Sequence, residues 1–230
     1  MYIVIAGGGE VGFQLAREFL AGGHEVLVIE SHPSRRERLE EQLGDVALGG
    51  EGCRIQCLDE AGVSRADVFI AATAADEDNL AACQLARLKY RVPRVVALLN
   101  NPRNRNIFRK LGIEHTVDVT AIVCESVKSV IPSFPLVRVL GIEDQDVEIV
   151  QIRVVASSPL DGKRLEETGL AFLADNACLV RSGSGPQVIS GRAELRADDR
   201  IVCVVPRDMV ERLRLEAGEH GPLDSLASRH

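Results

Sequence analysis

Three glycines, spaced Gly7-x-Gly9-x-x-Gly12, directly follow an apolar run and open a segment with helical periodicity. The run Tyr2–Ala6 is typical of a strand buried on both faces of a parallel sheet. In such a strand–turn–helix, Gly7 permits the tight turn, Gly9 lets a pyrophosphate approach the backbone, and Gly12 lets the helix pack on the strand. The N–H groups at the helix start attract phosphate. The pattern therefore predicts a dinucleotide-binding α/β unit.

An acidic residue stands where this kind of unit binds a ribose. Glu30 closes the second apolar run, 18 residues after Gly12, and a carboxylate there can accept hydrogen bonds from a ribose 2′-hydroxyl. It would repel a 2′-phosphate, so NAD or an adenosine nucleotide is favoured over NADP. The alternative is a glycine-rich turn that binds nothing.

Strand and helix patterns alternate through the first half of the chain, with short connections. Such alternation predicts a doubly wound parallel sheet. The predicted strands are 2–6, 25–30, 46–48, 67–73, 94–99 and 115–119. A further helix, 120–131, carries an apolar stripe that needs a partner surface, either on a second subunit or on the chain's own C-terminal module. The stripe consists of Ile122, Val123, Val127, Val130 and Ile131.

The pattern changes after this helix, and prolines mark the boundary. We predict a Rossmann-like domain over 1–133, a small α/β module over 137–217 and a flexible tail over 218–230. The module's predicted strands are 147–155, 178–181, 188–190 and 200–206, followed by a helix over 208–217.

Composition excludes several classes of protein. The 27 Lys and Arg against 34 Asp and Glu give a net charge of −7, which disfavours a broad nucleic-acid-binding face. Apolar runs fall short of the roughly 18 residues that cross a bilayer, and the start shows no leader, so we expect a cytoplasmic protein. The six cysteines lack zinc-ligand spacing, so we expect no metal.

The sequence offers few residues that could serve as the catalytic groups of an enzyme. A dehydrogenase needs a proton donor beside the nicotinamide, and the second half offers Lys163 and, in the predicted tail, His220. Asp76, Glu77 and Asp78 could be metal ligands, but acids in a first helical turn also complement the helix dipole, which is the interpretation we prefer. No catalytic residue is predicted.

Several motifs together resemble the regulatory subunits of potassium uptake systems known as TrkA-type, RCK or KTN proteins. The second half resembles that family's C-terminal module through Ser158-Pro-Leu-Asp-Gly-Lys-Arg-Leu165 and Leu195-Arg-Ala-Asp-Asp-Arg-Ile-Val202. In the first half the matching segments are Ile3-Val-Ile-Ala-Gly-Gly-Gly-Glu-Val-Gly12, Gly50-Glu-Gly-Cys53, Leu58-Asp-Glu-Ala-Gly62, Ala66-Asp-Val-Phe-Ile-Ala-Ala-Thr73, Asp76-Glu-Asp-Asn-Leu-Ala-Ala-Cys-Gln-Leu-Ala86, Asn100-Asn-Pro102 and Lys110-Leu-Gly-Ile113.

The resemblance implies a non-enzymatic, nucleotide-sensing subunit that gates an integral membrane potassium-translocating partner. It also implies dimers that stack into an octameric ring at the inner face of the membrane, with NAD(H) or an adenine nucleotide (ADP, AMP or ATP) as ligand. We keep two alternatives: an NAD-dependent oxidoreductase, and a regulator of another cation transporter or antiporter.

The resemblance also assigns site residues. It places the phosphates at Gly7, Gly8, Gly9, Glu10 and Val11, with Gly12 behind them, and the ribose at Glu30. It places the adenine near Glu51, Gly52 and Cys53, and the phosphates or second ribose near Thr73 and Ala74.

Three positions depart from the family pattern. Glu10 replaces an arginine that in some members reaches a neighbour's γ-phosphate, Leu98 replaces a basic residue, and Thr120 replaces a cation-binding glutamate. Together they favour NAD(H), ADP or AMP over Mg-ATP.

Overall fold

The computed structural model describes residues 1–131, 133–142, 146–156 and 158–218, and it divides into two units. The first unit is Met1–Ala121 and the second begins at Ile122. The predicted tail lies outside the described residues from 219 onward. Within the described ranges, no helix is both long and apolar enough to cross a membrane.

The first unit is built on a six-stranded sheet in which every neighbouring pair is parallel. The strand order β3-β2-β1-β4-β5-β6 is that of a doubly wound fold, so the fold class predicted from the sequence is confirmed. The strands are β1 (Tyr2–Ala6), β2 (Glu25–Glu30), β3 (Ala47–Gly49), β4 (Val68–Ala71), β5 (Arg94–Leu99) and β6 (His115–Asp118).

Helices cover both faces of this sheet and create two apolar cores. One core contains Phe69 and Phe108, and the other contains Phe13 and Leu39. The helices are α1 (Glu10–Ala21), α2 (Pro33–Leu43), α3 (Ile55–Glu60), α4 (Asp76–Gln84), which continues as a π-helix over Leu85–Lys89, and α5 (Arg105–Lys110). Because helices cover both faces of the sheet, a ligand can reach the polar groups of the loops at the strand ends but not the faces of the sheet.

The second unit is a small antiparallel sheet with the order β10-β9-β11-β8-β7. Its inner face packs on a core that includes Val210 and Leu213 of the last helix. Its elements are β7 (Leu136–Ile142), β8 (Val147–Arg153), β9 (Ala177–Val180), β10 (Gln187–Val188), β11 (Arg200–Pro206) and α7 (Val210–Glu216).

Two features differ from the sequence prediction. Helix α6 spans Val119–Lys128, so Val130 and Ile131 of the predicted stripe lie beyond its end. Strand β7 was not predicted. A bulge between Arg138 and Leu140 interrupts its alternation of inward and outward side chains and hides the strand pattern.

Candidate nucleotide-binding site

A cavity of about 390 Å³ opens at the carboxyl ends of the parallel strands of the first unit. This edge, beside the point where the chain reverses its direction of winding, is where doubly wound folds bind ligands. The loops after β1, β2, β3, β4 and β5 all contribute to its walls. Among the described residues, no group of three His, Cys, Asp or Glu side chains could hold a metal ion.

The glycine loop lies at the centre of this edge, and each glycine has a different reason to be there. Gly7 has φ of +109°, and a side chain on it would lie 2.7 Å from the carbonyl oxygen of Ala72. A Cβ on Gly12 would overlap the carbonyl oxygen of Gly7. Gly9, with φ of −63°, has no atom within 4 Å of the position that a Cβ would take. The first two glycines therefore serve the fold, whereas Gly9 leaves open space at the start of α1.

Glu30 is buried at the end of β2, and its carboxylate holds the loops around it. Oε2 accepts a hydrogen bond from the Gly8 N–H at 2.7 Å, and Oε1 accepts one from the His32 N–H at 2.8 Å. Nδ1 of His32 lies 3.1 Å from Oε1, and Nη1 of Arg35 lies 3.9 Å from Oε2. Glu30 thus joins the glycine loop to the start of α2.

These contacts keep the Glu30 side chain ionised. Burial would raise its pKa, but the N–H groups of His32 and Gly8, the His32 side chain and the Arg35 charge hold the pKa below its ordinary value. Each carboxylate oxygen can accept about two hydrogen bonds. Oε2 therefore retains capacity for a ribose hydroxyl, which fits the ribose role predicted for this residue.

Three more carboxylates line the cavity, and two of them are neutralised by arginines. Glu10 accepts a 2.9 Å hydrogen bond from Arg38, and Glu51 accepts a 2.6 Å hydrogen bond from Arg54. The third, Asp78, lies 3.9 Å from the Sγ of Cys53. Burial, followed by the charges of Asp78 and Glu51, raises the pKa of the Cys53 thiol. The thiol therefore stays protonated and acts as a donor.

The family model of the TrkA-N domain matches residues 3–119, which include the whole cavity. A Trk system potassium uptake protein TrkA homolog from Methanothermobacter thermautotrophicus is 36% identical over 72% of this chain and 76% of its own length. This chain belongs to the TrkA family.

Other relatives and structures extend this comparison. The TrkA protein of Mycobacterium tuberculosis is 28% identical over 93% of this chain and 96% of its own length. A TrkA homolog from Archaeoglobus fulgidus is 34% identical, and the chain spans half of its length. A structure of the GsuK channel bound to NAD aligns with 96% of this TrkA-family chain at a TM-score of 0.62 and 20% identity, which shows a shared fold. The chain spans 40% of the GsuK chain.

The cavity of this TrkA-family chain brings together most of the residues proposed from its sequence. Two of the proposed residues do not line the cavity. The N–H of Gly8 donates to the Glu30 carboxylate, and Gly12 lets α1 pack closely on the end of β1. The ten that line it are Gly7, Gly9, Glu10, Val11, Glu30, Glu51, Gly52, Cys53, Thr73 and Ala74. Their role in binding remains a prediction.

Sequence reasoning missed further residues of the lining, among them Ser31, His32, Arg35, Asp78 and Asn100. Ser31 and His32 directly follow β2, Arg35 lies in the first turn of α2, and Asn100 directly follows β5. Because parallel strands end at one edge, the residues after each strand are the signal that could have found them.

The start of α4 has a structural role that sequence reasoning did not anticipate. Asp76 is buried and accepts hydrogen bonds from the N–H groups of Asn100 at 2.7 Å and Asn101 at 3.0 Å. Burial would raise its pKa, but these donors and the Asn104 side chain hold the pKa below its ordinary value. Asn79 is fully buried. Its Oδ1 accepts a hydrogen bond from the Thr73 N–H, and its Nδ2 donates one to the carbonyl oxygen of Leu98. Asp76 and Asn79 therefore fix the loops after β4 and β5 that form one end of the cavity.

Proposed function

We propose that this chain is a nucleotide-sensing, non-enzymatic regulatory subunit of a potassium uptake system. It acts in the cytoplasm and reaches the membrane through an integral potassium-translocating partner. The observation that carries the proposal is the cavity of this TrkA-family chain, where an open glycine loop lies beside an ionised Glu30 whose Oε2 can accept a further hydrogen bond. In this role the cavity residues hold the ligand and do not react with it.

The ligand we propose is NAD(H), ADP or AMP. The glycine loop and the start of α1 offer backbone N–H groups to a phosphate or pyrophosphate. With Glu10 and Glu51 paired to arginines, Glu30 and Asp78 place negative charge in the cavity wall, which opposes a triphosphate more strongly than it opposes a diphosphate. GsuK structures bound to NAD and to ADP support testing these two ligands first.

Gating follows if the ligand binds two arrangements of the subunit with different affinities. A ligand that binds both equally shifts nothing, so the regulatory effect is limited to that difference. The cavity supports this proposal because its walls come from five separate loops, and a bound nucleotide would fix the spacing between them.

Self-assembly into dimers and an octameric ring is part of the proposal. The apolar side chains on and just after α6 are exposed to solvent in the single chain, by 38% to 72%. Exposed apolar surface of this extent favours a protein partner, and a second copy presents the same stripe. The residues are Ile122, Val123, Val127, Val130 and Ile131.

Replacement of Gly9 by Asp tests the binding site. The position is open and has an ordinary φ of −63°, and Asp is a good residue at a helix N-cap, so the variant should fold. Its carboxylate would occupy the space and repel a phosphate. We expect calorimetry to show that NAD and ADP binding is lost in Gly9→Asp.

Ser34→Asp is the matched control, because it adds the same charge to an exposed position on α2 outside the cavity. It should bind like the unmodified protein. Unchanged affinity in a folded Gly9→Asp variant would contradict the site.

Purification from native membranes tests the proposed partner and should recover an integral potassium-translocating protein together with this chain. Turnover of NADH with a substrate would instead favour the oxidoreductase.

A further inference from the structure

The strand order fixes where the parts of a nucleotide can lie in this cavity. The glycine loop follows β1, Glu30 ends β2, and Gly50 to Cys53 follow β3, which is the neighbour of β2 on the side away from β1. We place a phosphate at the glycine loop and the ribose at Glu30. In a nucleotide the phosphate is attached through C5′ of the ribose and the base at C1′, so the base extends from the side of the ribose away from the glycine loop. It therefore points towards the loop after β3.

That loop turns back over the edge of the sheet and meets α4. The Gly50 N–H donates to the carbonyl of Glu30 at 3.1 Å, which ties the loop to the ribose position. Two residues on, a Cβ at Gly52 would overlap the Cβ of Ala6, so the backbone packs directly on the end of β1. Cys53 then contacts Asp78 at 3.9 Å. This loop and the exposed Asp78 thus line the position that the base would take.

Asp78 differs from the other carboxylates of the cavity. Glu10 and Glu51 pair with arginines, and Glu30 is held by backbone N–H groups. Over the part of the chain that the structure describes, the contact recorded for the Asp78 carboxylate is the Cys53 thiol. A carboxylate accepts about four hydrogen bonds, so most of its acceptor capacity is free and lies in the cavity wall.

We propose that Asp78 is a specificity-determining residue that recognises the exocyclic amino group of an adenine base. An ionised carboxylate only accepts hydrogen bonds, and the 6-amino group of adenine is the donor on that base. Asp78 is exposed in the chain without a ligand, and a base that packs against it would exclude water from its carboxylate. A ligand that lacks the donor would then leave this acceptor without a partner, which lowers its affinity. The inference rests on the proposed function, since it requires a nucleotide in this cavity.

Two ligands that differ only at this amino group provide the test. AMP carries the 6-amino group, and purine riboside 5′-monophosphate carries hydrogen there. Calorimetry on the full chain should give AMP an affinity about tenfold higher. In Asp78→Ala the ratio should fall to about one. Asp78→Asn, whose amide oxygen still accepts, should keep part of the preference.

Glu77→Ala is the control, because Glu77 is an exposed acid in the same first turn of α4 and lies outside the cavity wall. It alters the helix dipole in the same way and should leave the ratio unchanged. Equal affinities in the unmodified protein, or the same ratio in Asp78→Ala, would overturn the role of Asp78 while nucleotide binding stands. Failure of AMP to bind the unmodified protein while NAD or ADP binds would overturn this inference alone, and failure of all three would overturn the proposed function with it.

Discussion

The two sheets of this protein bury their strands in different ways. In the first unit, all five residues of β1 are buried, because helices cover both faces of the parallel sheet. In the second unit, β8 alternates between buried and half-buried residues, because only one face packs on a core. The outer face carries an apolar row across three paired strands, formed by Leu140, Ile149 and Val204.

This difference in burial determines where each unit exposes polar groups and where it exposes apolar surface. A sheet covered on both faces leaves its strand ends as the place where backbone and polar groups converge, and the cavity of the first unit, with its proposed ligand site, lies there. The second unit instead presents apolar surface. We therefore expect changes in the first unit to alter ligand binding, and changes on α6 to alter association between chains.

The largest expected effect comes from adding one methyl group at Gly12. Its Cβ would overlap the Gly7 carbonyl oxygen, so α1 cannot stay packed on β1. We expect Gly12→Ala to destabilise the first unit by about 4 kcal/mol or more. Amide hydrogen exchange should show protection lost over 1–121 and retained in the second unit.

Gly185, in the turn before β10, is the corresponding control in the second unit. It has no atom within 4 Å of the position that a Cβ would take, so Gly185→Ala should change stability by less than about 0.5 kcal/mol. Equal protection in Gly12→Ala and the unmodified protein would mean that the close approach of α1 to β1 does not hold the first unit together.

The second effect concerns association through α6. Val127 is exposed in the middle of the stripe, and burying an unpaired carboxylate there against a second copy would cost several kcal/mol. We expect Val127→Glu to convert oligomers to monomers in light scattering while nucleotide affinity is kept.

Gln42→Glu makes the same change in net charge at an exposed position of α2, outside the stripe, and should leave the oligomer intact. If the unmodified protein is monomeric at micromolar concentration, the ring is excluded, and with it the proposed route from nucleotide to pore.

The contrast between the units also explains how much the sequence could predict. Strands buried on both faces appear as continuous apolar runs, so β1, β2 and β5 were placed with the bounds that the structure shows. Strand β7 was absent from the prediction because the bulge at Val139 interrupts the alternation of apolar and polar residues that is typical of a strand with one exposed face. Local patterns thus predicted the parallel sheet better than the antiparallel one.

Within the site, the residues that could be predicted belong to one local motif. The glycine loop and Glu30 have fixed spacing along the chain, so a single strand–turn–helix pattern finds them. Asp76 instead acts on Asn100 and Asn104, which are 24 and 28 positions away. Its burial depends on the loop after β5, and from the sequence it was indistinguishable from an exposed acid that complements the helix dipole.

The smallest expected effect concerns the choice between NAD and NADP, and it tests whether ligand recognition belongs to the first unit. Glu30 is buried and ionised, and its Oε2 accepts one hydrogen bond from the Gly8 N–H, which leaves capacity for a ribose hydroxyl. A 2′-phosphate would remove that hydrogen bond and place like charges together. We expect NADP to bind about tenfold more weakly than NAD, which corresponds to about 1.4 kcal/mol.

Glu30→Gln should bring the two affinities close together, because it removes the repulsion while Arg35 remains 3.9 Å from the original carboxylate position and can attract the 2′-phosphate. Glu37→Gln, an exposed acid on α2 outside the cavity, makes the same change in net charge and should leave the ratio at its original value. A thermal melt of each variant checks that the Gly8 and His32 contacts of residue 30 survive. Equal affinities for NAD and NADP in the unmodified protein would show that Glu30 does not face the ribose, and the ligand would then have to enter this edge of the sheet in another orientation.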